Sequence, residues 1–222
     1  MNKRRFVVPL IILSCAFVSI TSIVLVNAGP PAADLASLEA AQATGPLDES
    51  SAAVSATLPL FHRLSEEYIR GAQPAHGGIG TLARLGVKTV IDLRSNYDYA
   101  GEISEAAELA GLRYYRLPTS VWDPPTDAEA KRFISLVGDK SQGPFFVFCA
   151  DGLNRTGEMS ALYRVAVNNW TVEQALNEAD ELGFNPYYYS LRNYVWTYAR
   201  KFRPEAVPPG ARGLSASELE AN

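Results

Sequence analysis

A wholly apolar run, Phe145-Phe-Val-Phe148, gives way at once to Cys149 and a five-residue arch that closes on Arg155-Thr156-Gly157. This segment constrains the fold more than any other. A strand with one solvated face alternates apolar and polar residues. Four apolar residues in succession suit a strand covered on both faces, as in a parallel sheet. Parallel neighbours need long crossovers, usually helices, and the flanking sequence supplies them. Tyr68-Ile69 reads as a short strand and Gly80 to Leu85 as a helix that stops at Gly86. Val87 to Leu93 is a buried strand, Glu102 to Leu109 a helix ended by Gly111, and Leu112 to Leu117 another strand. Thr126-Asp-Ala-Glu129 has the spacing of a capping box and opens a helix to about Val137. Helices are expected from Thr156 to Asn168, Thr171 to Leu182 and Tyr187 to Lys201. The fold class is therefore α/β, a mainly parallel central sheet flanked by helices and finished by a helical C-terminal part.

Cys149 ends a strand where open α/β sheets place their ligands. The amides of the arch, the start of the next helix and the Arg155 guanidinium can converge on one point, which suits a dianionic phosphate. The same positive field favours the Cys149 thiolate over the thiol. Gly152 permits the backbone angles of a tight arch, and Thr156 can offer its hydroxyl to the sulfur. The bland alternative is a structural cysteine in the core beside an arginine that caps a loop.

Cys-x5-Arg-Thr-Gly after an apolar strand resembles the signature of cysteine-dependent tyrosine and dual-specificity phosphatases. The resemblance continues through Arg70-Gly-Ala-Gln-Pro74, Val90-Ile-Asp-Leu-Arg94, Gly111-Leu-Arg-Tyr-Tyr-Arg-Leu-Pro118, Asp123-Pro-Pro-Thr126, Leu162-Tyr-Arg164 and Trp170-Thr-Val-Glu-Gln-Ala175. It spans about Tyr68 to Phe202 and is strongest for atypical, mostly microbial, dual-specificity enzymes. It implies a phosphatase-like fold, a phosphocysteine intermediate on Cys149 and phosphate binding by Arg155. Backbone groups of Ala150, Asp151, Gly152, Leu153 and Asn154 would complete the cradle, and Thr156 would assist the departing thiolate. No metal or cofactor is required, and the substrate would be a phosphorylated protein or a small phosphomonoester.

Such an enzyme needs a general acid. Asp123, in a Trp122-Asp-Pro-Pro turn 26 residues before Cys149, is the first candidate. Asp127 is the second, although its place in the capping box suits a helix-start role. Asp151 is the third, on a resemblance to myotubularin-type lipid phosphatases, with a solvated loop carboxylate as the alternative. Two features depart from the family pattern. Phe148 stands where the family usually has a histidine that braces the loop, and the arch carries Asp151 but no basic residue, which disfavours highly charged substrates. A phosphate-binding pseudophosphatase and a rhodanese-like sulfurtransferase remain as competing readings. Arg94 could line the site or pair with a core carboxylate. Tyr187 to Tyr189, Tyr194, Trp196 and Tyr198 could wall it or simply pack. Gly77-Gly78-Ile79-Gly80 is a weak phosphate-loop pattern that a turn before a helix explains as well.

The flanks are of a different character. Lys3, Arg4 and Arg5 precede Phe6 to Val26, 21 residues without a charge, and the next basic residue is Arg63. That run can span a bilayer, and Val26-Asn27-Ala28 can serve as a signal-peptidase site. An uncleaved anchor through residues 6–26 and a signal peptide cleaved near Ala28 both fit. Either way, the charge asymmetry sends the body out of the cytoplasm. The expected order is a targeting segment (1–28), an Ala/Pro/Ser-rich linker (29–59), the catalytic domain (60–203) and a loose tail (204–222). Without the three N-terminal basic residues the chain holds 17 basic and 24 acidic side chains, −7 in all. An acidic body argues against nucleic-acid binding. Two histidines, His62 and His76, with neither Cys15 nor Cys149 close by, give no metal-site spacing.

Overall fold

The computed structural model describes residues 52–95 and 100–211; the targeting segment and most of the linker expected from the sequence lie outside them. The elements are α1 (Ala52–Thr57), β1 (His62–Arg63), β2 (Tyr68–Gly71), α2 (Gly78–Arg84), β3 (Thr89–Asp92), α3 (Ala100–Leu109), β4 (Arg113–Arg116), α4 (Asp127–Val137), β5 (Phe145–Phe148), α5 (Asn154–Ala166), α6 (Val172–Glu181) and α7 (Tyr189–Phe202). The sheet order is β1-β2-β5-β3-β4. Among the described residues only the β1–β2 pair is antiparallel.

β5 is central, between β2 and β3, and its side chains explain its composition. Phe145, Val147 and Cys149 enter a core with Tyr68, Ile91 and Leu93 under α4 to α7. Phe146 and Phe148 enter a second core with Ile69 and Val90 under α1 to α3. All four strand residues are fully buried, each worth about 1.5–3 kcal/mol relative to exposure. A polar residue at any of them would have no solvent to meet.

Both expected capping boxes form. Thr126 pairs with Glu129 at the start of α4, and Thr171 with Gln174 at the start of α6. α5 differs in kind. It packs against α4, α6, α7 and the sheet, and every residue from Arg155 to Val165 is buried, as befits a helix inside the domain rather than on its surface.

The ordered body is wider than 60–203. The stretch expected as linker already forms α1, because Val54 and Leu58 find places in the α1–α3 core. The tail forms two 3-10 turns, Pro204–Ala206 and Pro209–Ala211, which bury Ala206, Val207 and Ala211. β1, two residues long, was not expected.

Candidate active site

Phe148 pairs with Gly71 of β2 on one side and Asp92 of β3 on the other. Cys149 therefore leaves the sheet at its carboxyl edge and is 2% exposed. The Gly152 amide donates to Cys149 Sγ at 3.2 Å. That turn requires glycine. Gly152 has φ +70°, and a Cβ there would stand 2.5 Å from Ala72 N and 2.6 Å from Gly71 C. A backbone bond just past the ends of β2 and β5, Gln73 N to Ala150 O at 3.2 Å, fixes the start of the arch.

Arg70 braces the arch from below. It lies on β2, 1% exposed, and its Nη2 donates to the carbonyls of Gly152 (2.7 Å) and Leu153 (3.2 Å). Those bonds hold the two carbonyls that follow the Gly152 amide, the one that reaches the sulfur. Burial pulls the Arg70 guanidinium below its ordinary pKa, against the fields of Tyr68, Cys149 and Glu178. At the far end Arg155 is 7% exposed in the first turn of α5. Leu153 caps that helix without a side-chain acceptor, which leaves first-turn amides for an anion. Thr156 is fully buried, and its hydroxyl has no hydrogen-bond partner among the described residues. Ala150 and Asp151 are exposed, and Leu153 and Asn154 are half-buried. Asn154 Oδ1 accepts from Asn185 N at 3.0 Å, tying the α6–α7 loop to the arch.

Phe148 stacks on Phe146 (ring centroids 5.9 Å apart), and the Arg94 guanidinium lies 5.2 Å from its ring centroid. Arg94 is the arginine paired with a core carboxylate. Its Nε and Nη2 donate to Asp92 at 2.9 and 2.6 Å, and its Nη1 donates to Gln73 Oε1 at 2.7 Å. Burial works against the Arg94 charge, but the Asp92 bonds more than offset it, so its pKa is raised. Tyr114 also donates to Asp92, at 2.7 Å.

The three candidate acids separate clearly. Asp123 is exposed in the β4–α4 loop. The root of that loop bonds β3 through Thr119 N to Leu93 O (3.1 Å), and Leu93 N bonds Phe148 O (2.9 Å), so the loop rises beside the Cys149 end of the sheet. Asp127 is committed elsewhere, accepting from Tyr194 at 3.1 Å and pairing with Lys201. The Lys201 bond, aided by Tyr194, holds its carboxyl below the usual range. Asp151 is exposed on the arch itself. Tyr194, Trp196 and Tyr198 are buried packing residues, whereas Trp122, Tyr187 and Tyr189 are exposed. Gly77 to Gly80 make the turn into α2, with Gly78 N bonded to Ala75 O.

Sequence reasoning missed the roles of Arg70, Asp92 and Gln73. The available signal was charge placed in or beside apolar strands, at Ile69-Arg70-Gly71 and Val90-Ile-Asp92.

A cysteine loop between a buried parallel strand and a buried helix, closed by an arginine, defines the architecture of the cysteine-based phosphatases. The family described as DSP-PTPase phosphatase fused to NAD+ kinase matches residues 46–188. The dual specificity protein phosphatase TpbA of Pseudomonas aeruginosa strain UCBPP-PA14 is 34% identical over 151 residues, covering 66% of this chain and 65% of that protein. The chain thus spans just under two thirds of the length of this relative. The crystal structure of P. aeruginosa TpbA superposes with a TM-score of 0.54 at 27% identity, over 73% of this chain and 89% of that one. A cysteine-to-serine variant of TpbA in complex with pTyr gives 0.53 at 27% identity, over 72% and 88%. The chain belongs to the dual-specificity phosphatase family.

Proposed function

We propose that the protein is an exported phosphatase that hydrolyses phosphotyrosine-like monoesters through a phosphocysteine on Cys149. The observation that carries this reading is the Gly152 amide on Cys149 Sγ, in a loop closed by Arg155. The amide bonds the sulfur itself, and the start of α5, without a side-chain cap, offers first-turn amides to an anion. In the first step Cys149 Sγ attacks phosphorus while the bond to the leaving oxygen breaks. Arg155 and the amides of Ala150 to Asn154 take up charge on the equatorial oxygens. Asp123 gives its proton to the leaving oxygen. In the second step a water attacks phosphorus, Asp123 takes the water's proton, and the sulfur leaves as thiolate toward the Thr156 hydroxyl. The products are the dephosphorylated alcohol or phenol and inorganic phosphate.

The pTyr complex of TpbA supports an aryl phosphate as substrate, and the exposed Asp151 disfavours polyphosphorylated ones. The basic cluster at Lys3 to Arg5 before the uncharged run 6–26 supports export, either cleaved near Ala28 or anchored through that run. Phosphate release from phosphotyrosine by wild type, Cys149→Ser and Asp123→Asn tests the chemistry. Cys149→Ser should abolish turnover, and an inactive wild type that still binds vanadate would make the protein a phosphate-binding module instead. Fractionation of cells expressing the full chain tests export, and activity confined to the cytoplasm would end that part of the proposal.

A further inference from the structure

The loop that carries Asp123 is not free-standing. Ser190 Oγ, in the first turn of α7, donates to the Trp122 carbonyl at 2.7 Å. The Tyr188 ring stacks on the Trp122 indole, with centroids 5.7 Å apart and planes 20° from parallel. Trp122 is 72% exposed, so burial does not hold it, and these two contacts are its anchors on α7. Tyr188 precedes the helix and makes no side-chain cap, which leaves its ring for the stack. Inside the loop the Ser120 hydroxyl accepts from the Trp122 and Asp123 amides and donates to Asp123 Oδ2, all at 3.1 Å. The segment before α7 is tied in turn to the phosphate loop, through Asn185 N on Asn154 Oδ1. One path of contacts therefore runs from the start of α5 through Asn185, Tyr188 and Ser190 to Trp122 and its neighbour Asp123.

We infer that Ser190 and Tyr188 are positioning residues for Asp123, acting through Trp122 to set the acid loop relative to the phosphate loop. The inference rests on Asp123 being the general acid. Beyond its root at Thr119, the loop meets the α7 segment through one hydrogen bond and one exposed stack, a weakly held contact, and its placement there should respond to the loss of either. Proton donation matters where the leaving oxygen is basic and hardly at all where it departs unaided. The signature of a misplaced acid is thus a loss confined to poor leaving groups, which a general loosening of the fold would not produce.

The test measures kcat/KM with phenyl phosphate and with dinitrophenyl phosphate for wild type, Ser190→Ala, Ser190→Thr, Tyr188→Ala and Asp123→Asn. This quantity excludes hydrolysis of the phosphocysteine. Ser190→Ala and Tyr188→Ala should each lose about three- to tenfold with phenyl phosphate, the scale of one net hydrogen bond, and stay within about twofold with dinitrophenyl phosphate. Ser190→Thr should recover the phenyl phosphate rate. Equal losses with both substrates would overturn the inference. If Asp123→Asn shifts the substrate ratio while the Ser190 and Tyr188 variants keep that of wild type, the inference alone fails. A wild-type ratio in Asp123→Asn would refute the acid assignment and the inference with it.

Discussion

Glu158 offers the sharpest test of the packing around the site. It lies in α5, one turn beyond Arg155, fully buried, with no hydrogen-bond partner among the described residues at either carboxylate oxygen. Burial alone raises its pKa well above the carboxylate range, so the folded protein holds it protonated where the unfolded chain does not. Below about pH 4 both states carry the proton and stability is unaffected. Above that, unfolding releases a proton, and stability falls by about 1.4 kcal/mol per pH unit until the folded group itself ionises. Between pH 5 and 7 the loss reaches at most about 3 kcal/mol. Glu158→Gln keeps the shape and removes the titration. Urea unfolding of both proteins at a series of pH values isolates the effect, since every other carboxylate cancels in the difference. The advantage of Glu158→Gln should grow steadily as pH rises from 5 to 7. A pH-independent difference would show that Glu158 is solvated or paired, and would refute the argument.

Three further outcomes follow from the site. Gly152→Ala should cost about 1–2 kcal/mol from the left-handed backbone alone, and more because its Cβ meets backbone atoms of Gly71 and Ala72; thermal unfolding and phosphate release should both show it. Arg70→Met should lower kcat/KM at least tenfold and weaken vanadate binding, since two charge-assisted bonds to the arch, each about 1.5–3 kcal/mol, disappear; unchanged vanadate affinity would exclude the brace. Asp127→Asn should leave the ratio of phenyl to dinitrophenyl phosphate turnover at its wild-type value, because that carboxylate is occupied by Lys201 and Tyr194.

Much of this architecture was legible in the sequence. β5 matched its residues, and each long helix lay within a few residues of its expected place, because capping boxes and apolar runs are local signals. What was lost is non-local or too short to carry a period. β1 has two residues, and α1 looks like linker until Val54 and Leu58 find their core. Cys149, Arg155, Gly152 and Thr156 can be read together as a candidate site because one loop holds them all. The role of Arg70 is not legible in its local sequence, since its partners stand 82 and 83 residues away. Glu158 passed unnoticed for a related reason. A glutamate in a helix suggests a solvated face, and only the burial of α5 from every side shows otherwise.

Phe148 poses the remaining question, because the family resemblance leads one to expect a histidine there to brace the loop. A phenylalanine has no donor to offer, and this one is fully buried against Phe146. The bracing is instead distributed over the two strands that flank β5. From β2, Arg70 holds the Gly152 and Leu153 carbonyls. Just past β3, Arg94 is locked by Asp92 and passes its remaining donor to Gln73, whose amide holds Ala150 O. Arg94 also lies over the Phe148 ring, so the apolar residue serves as the floor of that network. Two buried guanidiniums are expensive to desolvate. Asp92 compensates one wherever β3 is formed, whereas the other is engaged through Nη2 alone, by carbonyls of the arch, its Nε and Nη1 having no hydrogen-bond partner among the described residues. The cost of burying Arg70 is thus offset only while the arch keeps its geometry, which is what a preorganised anion site requires.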